Sequence, residues 1–264
     1  MNSMHDSKQN TVLIRGHIQV ARLAFRLGEY HSAYRNLNSA LYEIEQAGTS
    51  AMDDLLAHEL KHLIGKVQVS LRMYEEAEMS FRGAIEFAEQ RPSLPNCLII
   101  SDKRHLADCV RLRHRYEEAE KLYHGCIEML KDIDTPEENQ LPKAYLGLAQ
   151  VYIDSQRLDL ADKAIDMALS RFETHPGNRS FWTGRALVTQ ARLRWAQNRQ
   201  AESKEILQQA LNILEPLVGP HHPIRALALR RLANVISWEG HERPATDIFT
   251  DLKEVEKYLR DHDA

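Results

Sequence analysis

Residues 19–41 read QVARLAFRLGEYHSAYRNLNSAL and contain two helical patterns of apolar residues on either side of Gly28. Val20, Ala24 and Leu27 recur at helical spacing before the glycine, and a second helically spaced set follows it. A glycine between two such patterns favours a tight turn. The stretch therefore predicts a helical hairpin.

The hairpin pattern recurs six times along the 264 residues. One column of small residues has a first step of 44 residues and four further steps of 42: Ala21, Gly65, Ala107, Ala149, Ala191 and Ala233. A second column keeps the same steps: Ala33, Ala77, Ala119, Ala161, Ser203 and Ala245. Small residues at equivalent places let helix backbones approach closely in every hairpin. A sustained period of this size indicates a stacked repeat architecture.

The period also sets the expected boundaries. We expect a disordered polar segment at residues 1–11 and a single array over residues 12–264, with hairpins at roughly 12–48, 56–92, 98–134, 140–176, 182–218 and 224–260. The residue at each hairpin turn is Gly28, Arg72, His114, Gln156, Asn198 or Gly240. Glycine and asparagine suit a left-handed turn, whereas the other three residues need a different turn or tolerate strain.

The order of the columns resembles the tetratricopeptide repeat. A large-then-small pair such as Leu148-Ala149 precedes the turn, and an aromatic residue and the second small residue follow it in several repeats. The family's usual period is about 34 residues, so the longer period here is similar to the kinesin-light-chain type. Residues 218–249, VGPHHPIRALALRRLANVISWEGHERPATDIF, are similar to that subfamily's LGPxHPxVAxxLxNLA…G…A pattern, with departures at Arg230, Arg231 and Pro244. The resemblance implies an all-α, right-handed superhelical solenoid of six helix-turn-helix repeats that acts as a non-enzymatic protein-interaction scaffold.

The resemblance further implies that the first helix of each hairpin lines a concave groove. The windows 15–27, 59–71, 101–113, 143–155, 185–197 and 227–239 have net charges of +3, +1, +2, 0, +3 and +1, whereas the whole chain has −4. A concave surface of one sign attracts partners of the opposite sign, and arginine binds carboxylates in a bidentate manner. We expect the groove to bind an acidic or carboxylate-bearing peptide segment of a protein partner. The candidate residues are Arg22, Lys66, Arg104, Arg111, Lys143, Gln150, Arg192, Trp195, Arg230 and Asn234.

Several alternatives stay open. The first helices can be cationic simply because they pair with acidic second helices in solvated ion pairs. The chain can be a regulatory sensor whose superhelix closes on a small peptide or metabolite. A basic groove can also hold nucleic-acid phosphates, although the heterogeneous groove positions and the negative total charge disfavour this class. The family's chaperone-tail carboxylate clamp is not expected, because Ile18 and Arg22 stand where its Lys and Asn would be.

One motif suggests metal chemistry. His58 to His62 spell HExxH, which on a helix can place two histidines on one face for zinc. Catalytic zinc needs a third protein ligand, none is evident downstream, and Lys66 lies one turn below His62 where a cation would repel a metal. We therefore expect no metal, no cofactor and no catalysis, with a metal site that includes His105 as the alternative. The sequence His221-His222-Pro223 is expected to start a helix.

The remaining features concern the compartment and the assembly. Cys97, Cys109 and Cys126 form no CxxC pair and are expected to be reduced thiols of a cytoplasmic protein. No apolar run approaches the roughly 20 residues of a membrane span, and the first residues lack the apolar core of a secretory signal. We expect a monomer or a weak homodimer, since the last helix carries a bulky stripe: Phe249, Leu252, Val255, Tyr258 and Leu259.

Overall fold

The computed structural model describes residues 2–47, 53–131, 140–173, 180–220, 222–238, 250–255 and 257. The regular elements within these residues are α-helices: α1 (Asn2–Leu27), α2 (Tyr30–Ala47), α3 (Asp54–Ser70), α4 (Tyr74–Glu89), α5 (Asn96–Leu112), α6 (Tyr116–Lys131), α7 (Gln140–Asp154), α8 (Leu158–Glu173), α9 (Phe181–Ala196), α10 (Gln200–Leu214) and α11 (Pro223–Trp238). Residues 250–255 are helical as well. None of the described helices is long and apolar enough to cross a membrane. The predicted all-α, helix-turn-helix class is confirmed.

The chain divides into two compact units at residue 114. Unit 1 contains α1 to α5, and unit 2 contains α6 to α11 with residues 250–255. Within unit 1, α1 packs on α2, α3 packs on α4, and the first helix α3 contacts the first helices α1 and α5. Within unit 2, α7 packs on α8, α9 packs on α10, and the first helices α7, α9 and α11 are in contact. We call each set of contacting first helices the first-helix face of its unit.

The two small-residue columns lie where the helices pack most closely. Each described member of these columns is buried. A Cβ atom added to Gly65 would lie 2.8 Å from the ring of Phe81, so only glycine fits at this contact without a shift of the ring. Ser203 replaces alanine in the second column and donates its hydroxyl to the carbonyl oxygen of Ala191 at 2.8 Å. This hydrogen bond explains how a buried column accommodates a polar side chain.

The turns between paired helices share one conformation. Gly28, Arg72, His114, Gln156 and Asn198 all have positive φ, with values of 86°, 62°, 62°, 59° and 60°. At Arg72 the neighbouring amides donate across the helix end, with Met73 N bonded to Gln68 O at 2.8 Å and Arg72 N bonded to Val69 O at 3.1 Å. This pattern is a Schellman motif. The non-glycine turn residues therefore adopt the left-handed conformation instead of using a different turn.

The helix ends differ from the prediction at the N-terminus. Helix α1 begins at Asn2, whereas residues 1–11 were expected to be disordered. This segment contains no proline or glycine from Asn2 onward, so its polar residues can continue the helix. Helix α11 begins at Pro223 as predicted, and His222 Nδ1 accepts the amide of Ile224 at 3.2 Å. The predicted turn at Gly240 and most of the predicted last helix, including Ala245 and Phe249, lie outside the described residues, although Leu252 and Val255 are buried.

Candidate functional site

The first-helix face of unit 1 contains a pocket of about 770 Å³. The predicted residues Arg22 and Lys66 both line it, from α1 and α3 respectively. The other lining residues combine apolar, aromatic and charged side chains: Gln19, Leu23, Phe25, Arg26, Leu55, His58, Glu59, His62, Leu63, Leu98 and Ser101. Two of the cations that the repeat alignment predicted to line the groove therefore lie in one pocket.

The cations of the pocket are held by neighbours within it. The Arg22 guanidinium pairs with the Glu59 carboxylate. The Lys66 ammonium lies 4.7 Å from the centroid of the Phe25 ring, a distance typical of a cation–π contact. Arg26 adds a third positive charge to the lining, against the single carboxylate of Glu59 among the lining residues described. The pocket therefore offers an excess of positive charge beside an aromatic ring.

The HExxH histidines form a buried polar centre. His58 Nε2 lies 2.7 Å from Asp102 Oδ2, and His62 Nδ1 lies 2.6 Å from Asp102 Oδ1. Asp102 is completely buried and His58 is 2% exposed. We call these three residues the His–Asp–His centre. One ring nitrogen of each histidine donates to the carboxylate, and the described residues contain no group of three His, Cys, Asp or Glu arranged to hold a metal ion.

Burial and hydrogen bonding decide the charges of this centre. Burial lowers the pKa of His62, and this effect outweighs the opposing pull of the Asp102 carboxylate. Burial tends to raise the pKa of Asp102, but the hydrogen bonds from His58 and His62 bring the pKa below its usual value. At neutral pH the centre therefore contains an ionised carboxylate and a neutral His62.

A third histidine extends the centre. The His62 and His105 rings meet edge to face with their centroids 5.0 Å apart. Burial lowers the pKa of His105 well below its usual value, and the nearby Arg104 charge lowers it further. His105 Nδ1 donates to the Ser101 carbonyl at 2.8 Å, which leaves Nε2 to accept from Arg104 Nη2 at 3.1 Å. A neutral His105 is therefore fixed in one tautomer by its partners.

The other predicted cations of unit 1 do not line the pocket. Arg104 is 7% exposed, pairs with Asp108 at 3.6 Å and donates to His105. Its guanidinium thus stabilises buried neighbours. Arg111 is half-buried near the C-terminal end of α5. The charge pattern predicted on which face of the helix Arg104 and Arg111 lie, but it did not predict how deeply they are buried.

A second cationic cluster lies on the first-helix face of unit 2. Arg192 on α9 forms an ion pair with Asp154 at the end of α7. Burial lowers the pKa of Arg231 to about 10, and the positive charge of Arg192 contributes to this shift. The Nε atom of Arg231 is buried and has no hydrogen-bond partner among the described residues. We call Arg192, Arg230 and Arg231 the unit 2 arginine cluster.

One aromatic pair and one tryptophan with two adjacent cations accompany these charges. Trp195 is half-buried, and its ring meets the edge of Trp238 at a centroid distance of 6.2 Å. The Lys143 ammonium and the Arg185 guanidinium lie 4.8 Å and 5.2 Å from the centroid of Trp182. Aromatic rings with adjacent cations provide both apolar contact and charge to a ligand.

The last two predicted groove residues are polar amides. The Gln150 side chain donates to Thr189 Oγ1 at 3.5 Å, which links α7 to α9. Asn234 is exposed on α11. The predicted residues of unit 2 thus occupy the face of its contacting first helices, as ion pairs, ring contacts or exposed side chains.

Part of the first-helix charge is used by the second helices. Arg113 forms ion pairs at 2.7 Å with both Glu75 and Glu78 of α4. Arg194 pairs with Asp162 of α8 at 2.9 Å. For these arginines the alternative explanation, pairing with acidic second helices, is correct. The charge excess of the first helices is therefore smaller than their sequence suggests.

Comparison with known proteins agrees with this geometry. Residues 140–216, which include α7 to α10, match the tetratricopeptide repeat family model. Tetratricopeptide repeats are thus shown for α7 to α10, and the remaining described helices are hairpins of the same general form. It is similar to the solved structure of BtubC (BKLC) from P. vanneervenii, at 15% identity and a TM-score of 0.59 over 95% of this chain and 92% of that one. No curated protein matches the sequence.

Two further solved structures are similar at low identity. One is a single-residue variant of a Podosopora anserina protein assigned as a kinesin light chain, at 15% identity and a TM-score of 0.55 over 79% of this chain and 99% of that one. The other is the Rap conjugation gene regulator of plasmid pLS20 in complex with the Phr* peptide, at 12% identity and a TM-score of 0.71 over 97% and 76% of the two chains. These likenesses, all at 15% identity or less, show the fold alone.

Proposed function

We propose that this repeat protein is a non-enzymatic interaction scaffold that binds an acidic peptide segment in the pocket of unit 1. The observation that carries the proposal is the lining of that pocket, in which Arg22 and Lys66 stand beside Phe25 and a set of leucines. A pocket that combines a few charged groups with apolar walls is the usual form of a ligand site.

The contacts suggest how such a segment binds. A carboxylate of the segment can share the Arg22 guanidinium with Glu59 and approach the Lys66 ammonium. An apolar side chain of the segment can enter between Leu55, Leu63 and Leu98. An exposed ion pair contributes little by itself, so most of the affinity is expected from the apolar anchor and the partly buried cations.

The unit 2 arginine cluster offers a second place for a carboxylate. Arg231 has a buried Nε that lacks a partner in the described chain, and a ligand oxygen would satisfy it. We propose that Arg192, Arg230, Trp195 and Asn234 contribute to this second contact. The Rap regulator, which has a similar fold, was solved in complex with a peptide, and this supports peptide binding as a use of the fold.

The same geometry argues against metallopeptidase chemistry. His58 and His62 both donate to Asp102, and Glu59 pairs with Arg22. The Nε2 atom of His58 and the carboxylate of Glu59, which would be a metal ligand and the general base of an HExxH site, thus already have other partners. We also propose a cytoplasmic location, because Cys97, Cys109 and Cys126 are free thiols.

Binding of fluorescent peptides tests the proposal. Two peptide arrays are compared, one of acidic and one of basic sequences, each with a central leucine or phenylalanine. We expect acidic peptides to bind, and Arg22→Glu with Lys66→Glu to weaken their binding about tenfold or more. Arg35→Glu, an exposed cation on α2 of the same unit, is the matched control and should leave the affinity unchanged.

Two results would contradict the proposal. The first is equal binding of acidic peptides by the wild type and by the Arg22/Lys66 variant. The second is tighter binding of a single-stranded oligonucleotide than of any acidic peptide, with a steep dependence on salt. The variant Arg192→Glu with Arg231→Glu, measured in the same assay, shows whether the second contact belongs to the site.

A further inference from the structure

An apolar stripe runs along the outer face of α1. It consists of Val12, Leu13, Val20, Leu23 and Leu27, whose exposed fractions lie between 46% and 69%. Their spacing places them on one side of the helix, about 100° wide at 3.6 residues per turn. Contiguous apolar patches on a monomer are usually limited to a few hundred Å², and larger ones mark interaction sites. We call these five residues the α1 stripe.

The α1 stripe is not the surface by which α1 packs in unit 1. That role belongs to Ile14, Ile18 and Ala21, which are at most 1% exposed and belong to the core of the unit. Gly16 lies within the stripe, and a Cβ atom added there would have no atom within 4 Å. The helix thus has two apolar faces, one of which is covered by the described residues and one of which is not.

A row of arginines borders the stripe on one side. Arg15, Arg22 and Arg26 follow each other at helical spacing, and residues 11–27 contain no acidic residue. The acidic partners of Arg15 and Arg22 are Asp53 and Glu59, and both of these residues lie outside α1. A second copy of α1 placed on the stripe would add a second row of arginines with no carboxylate to match it. An acidic amphipathic helix supplies both the apolar face and the matching charge.

We propose that the α1 stripe docks an amphipathic helix of a partner protein, with leucine-like residues on Val12, Val20 and Leu27 and carboxylates along the arginine row. Four of the five stripe residues are absent from the lining of the unit 1 pocket, and only Leu23 belongs to both. The apolar part of the docking surface therefore lies outside the proposed peptide pocket, whereas Arg22 and Arg26 of the arginine row also line that pocket.

Two synthetic peptides of about five helical turns test the proposal. They have the same composition of leucine, glutamate and alanine, but only one has leucine at helical spacing. We expect this peptide to bind more tightly than the scrambled one, which only the pocket can hold, and we expect it alone to gain helicity on binding. Fluorescence anisotropy measures the affinity and circular dichroism the helicity. Added salt should weaken the complex, because the arginine row is exposed.

Variants locate the complex on α1. Val20→Glu with Leu27→Glu should weaken binding about tenfold or more. Met79→Glu is the matched control, since Met79 is an apolar residue of α4 that is 67% exposed. Because neither Val20 nor Leu27 lines the pocket, the same variant should bind acidic pocket peptides normally.

Three outcomes would overturn the proposal. The helical peptide does not bind, or it binds the Val20/Leu27 variant as tightly as the wild type. Alternatively, sedimentation shows a wild-type dimer that the Val20/Leu27 variant loses, in which case a second copy of the chain covers the stripe. A thermal melt of each variant confirms that the exposed substitutions leave the fold intact.

Discussion

The two units place different polar residues at equivalent positions of the same helical frame. In unit 1, Asp102 occupies a column that holds Ala144, Ala186 and Ala228 in unit 2. In unit 2, Arg231 occupies a column that holds Leu63 and His105 in unit 1. Asp102 receives two hydrogen bonds from histidines, whereas the Nε of Arg231 has no partner in the described chain.

This difference separates two uses of a buried charge. A fully hydrogen-bonded buried carboxylate fixes the arrangement of its neighbours, and removal of either partner is costly. A partly buried arginine with an unsatisfied donor lowers stability until a ligand supplies an acceptor. We infer that the His–Asp–His centre maintains the structure of unit 1, and that the Nε of Arg231 in unit 2 can still accommodate an acceptor.

The largest expected effect comes from removal of the carboxylate. Asp102→Ala leaves His58 and His62 buried without their acceptor, and should lower the free energy of unfolding by about 3 kcal/mol or more. Arg231→Met keeps the length of the side chain and removes an unsatisfied charge, so it should be neutral or stabilising. Urea unfolding followed by circular dichroism measures both.

Asp102→Asn is the control for side-chain volume and should be intermediate, because the amide retains one acceptor oxygen. The comparison between the units fails if Asp102→Ala and Arg231→Met change the free energy of unfolding equally.

A smaller effect is expected from acidification. Because His62 and His105 have pKa values below the ordinary 6.5, the unfolded chain binds more protons than the folded one as the pH falls below about 6.5. The free energy of unfolding should therefore be constant with respect to these groups above that pH and decline below it. Asp102 extends the decline at pH values below about 3.8, since its folded pKa is lowered from that value. Arg231, with a pKa of about 10, is protonated throughout this range and adds no slope.

Glutamine variants assign this decline to residues. His62→Gln with His105→Gln should make the decline in the free energy of unfolding between pH 6.5 and 5 less steep. The reason is that the unfolded variant takes up as many as two fewer protons than the unfolded wild type. Burial also lowers the pKa of His222 in unit 2, so His222→Gln should remove at most one proton and serves as the comparison. An unchanged decline in the His62/His105 variant would show that these histidines are accessible to protons in the folded state.

The repeat period explains why much of the fold could be predicted from the sequence. Small residues recur at 42-residue steps, and the same steps located the close helix contacts and the turn residues. The period also placed Arg22 and Lys66 on one face, where both line the pocket. These features depend on the spacing of residues along the chain, so they can be predicted from a single sequence.

The His–Asp–His centre could not be predicted in the same way. It depends on a carboxylate 44 residues after His58 that reaches two imidazoles on another helix. The available signal was Asp102 itself, an acidic residue in an otherwise apolar or small column. The HExxH string gives no indication of a carboxylate partner for its two histidines. Arg104 was expected in the groove for a similar reason, because the column indicates a helix face but not the depth set by His105 and Asp108.

The smallest expected effect tests the feature that both units share. Arg72 in unit 1 and Gln156 in unit 2 have φ near 60° at equivalent turns, where a side chain costs about 1 kcal/mol relative to glycine. Glycine also increases the entropy of the unfolded chain, so Arg72→Gly and Gln156→Gly should each stabilise by only about 0.5 kcal/mol. Asn198→Gly should gain less, because asparagine tolerates this conformation, and Gly28→Ala should destabilise by about 1 kcal/mol. Thermal and urea unfolding of the four variants measures these changes. Equal gains at Arg72 and Gln156 would show that the units share one turn energy, whereas destabilisation by either glycine would mean that the replaced side chain contributes more through its contacts than its backbone strain costs.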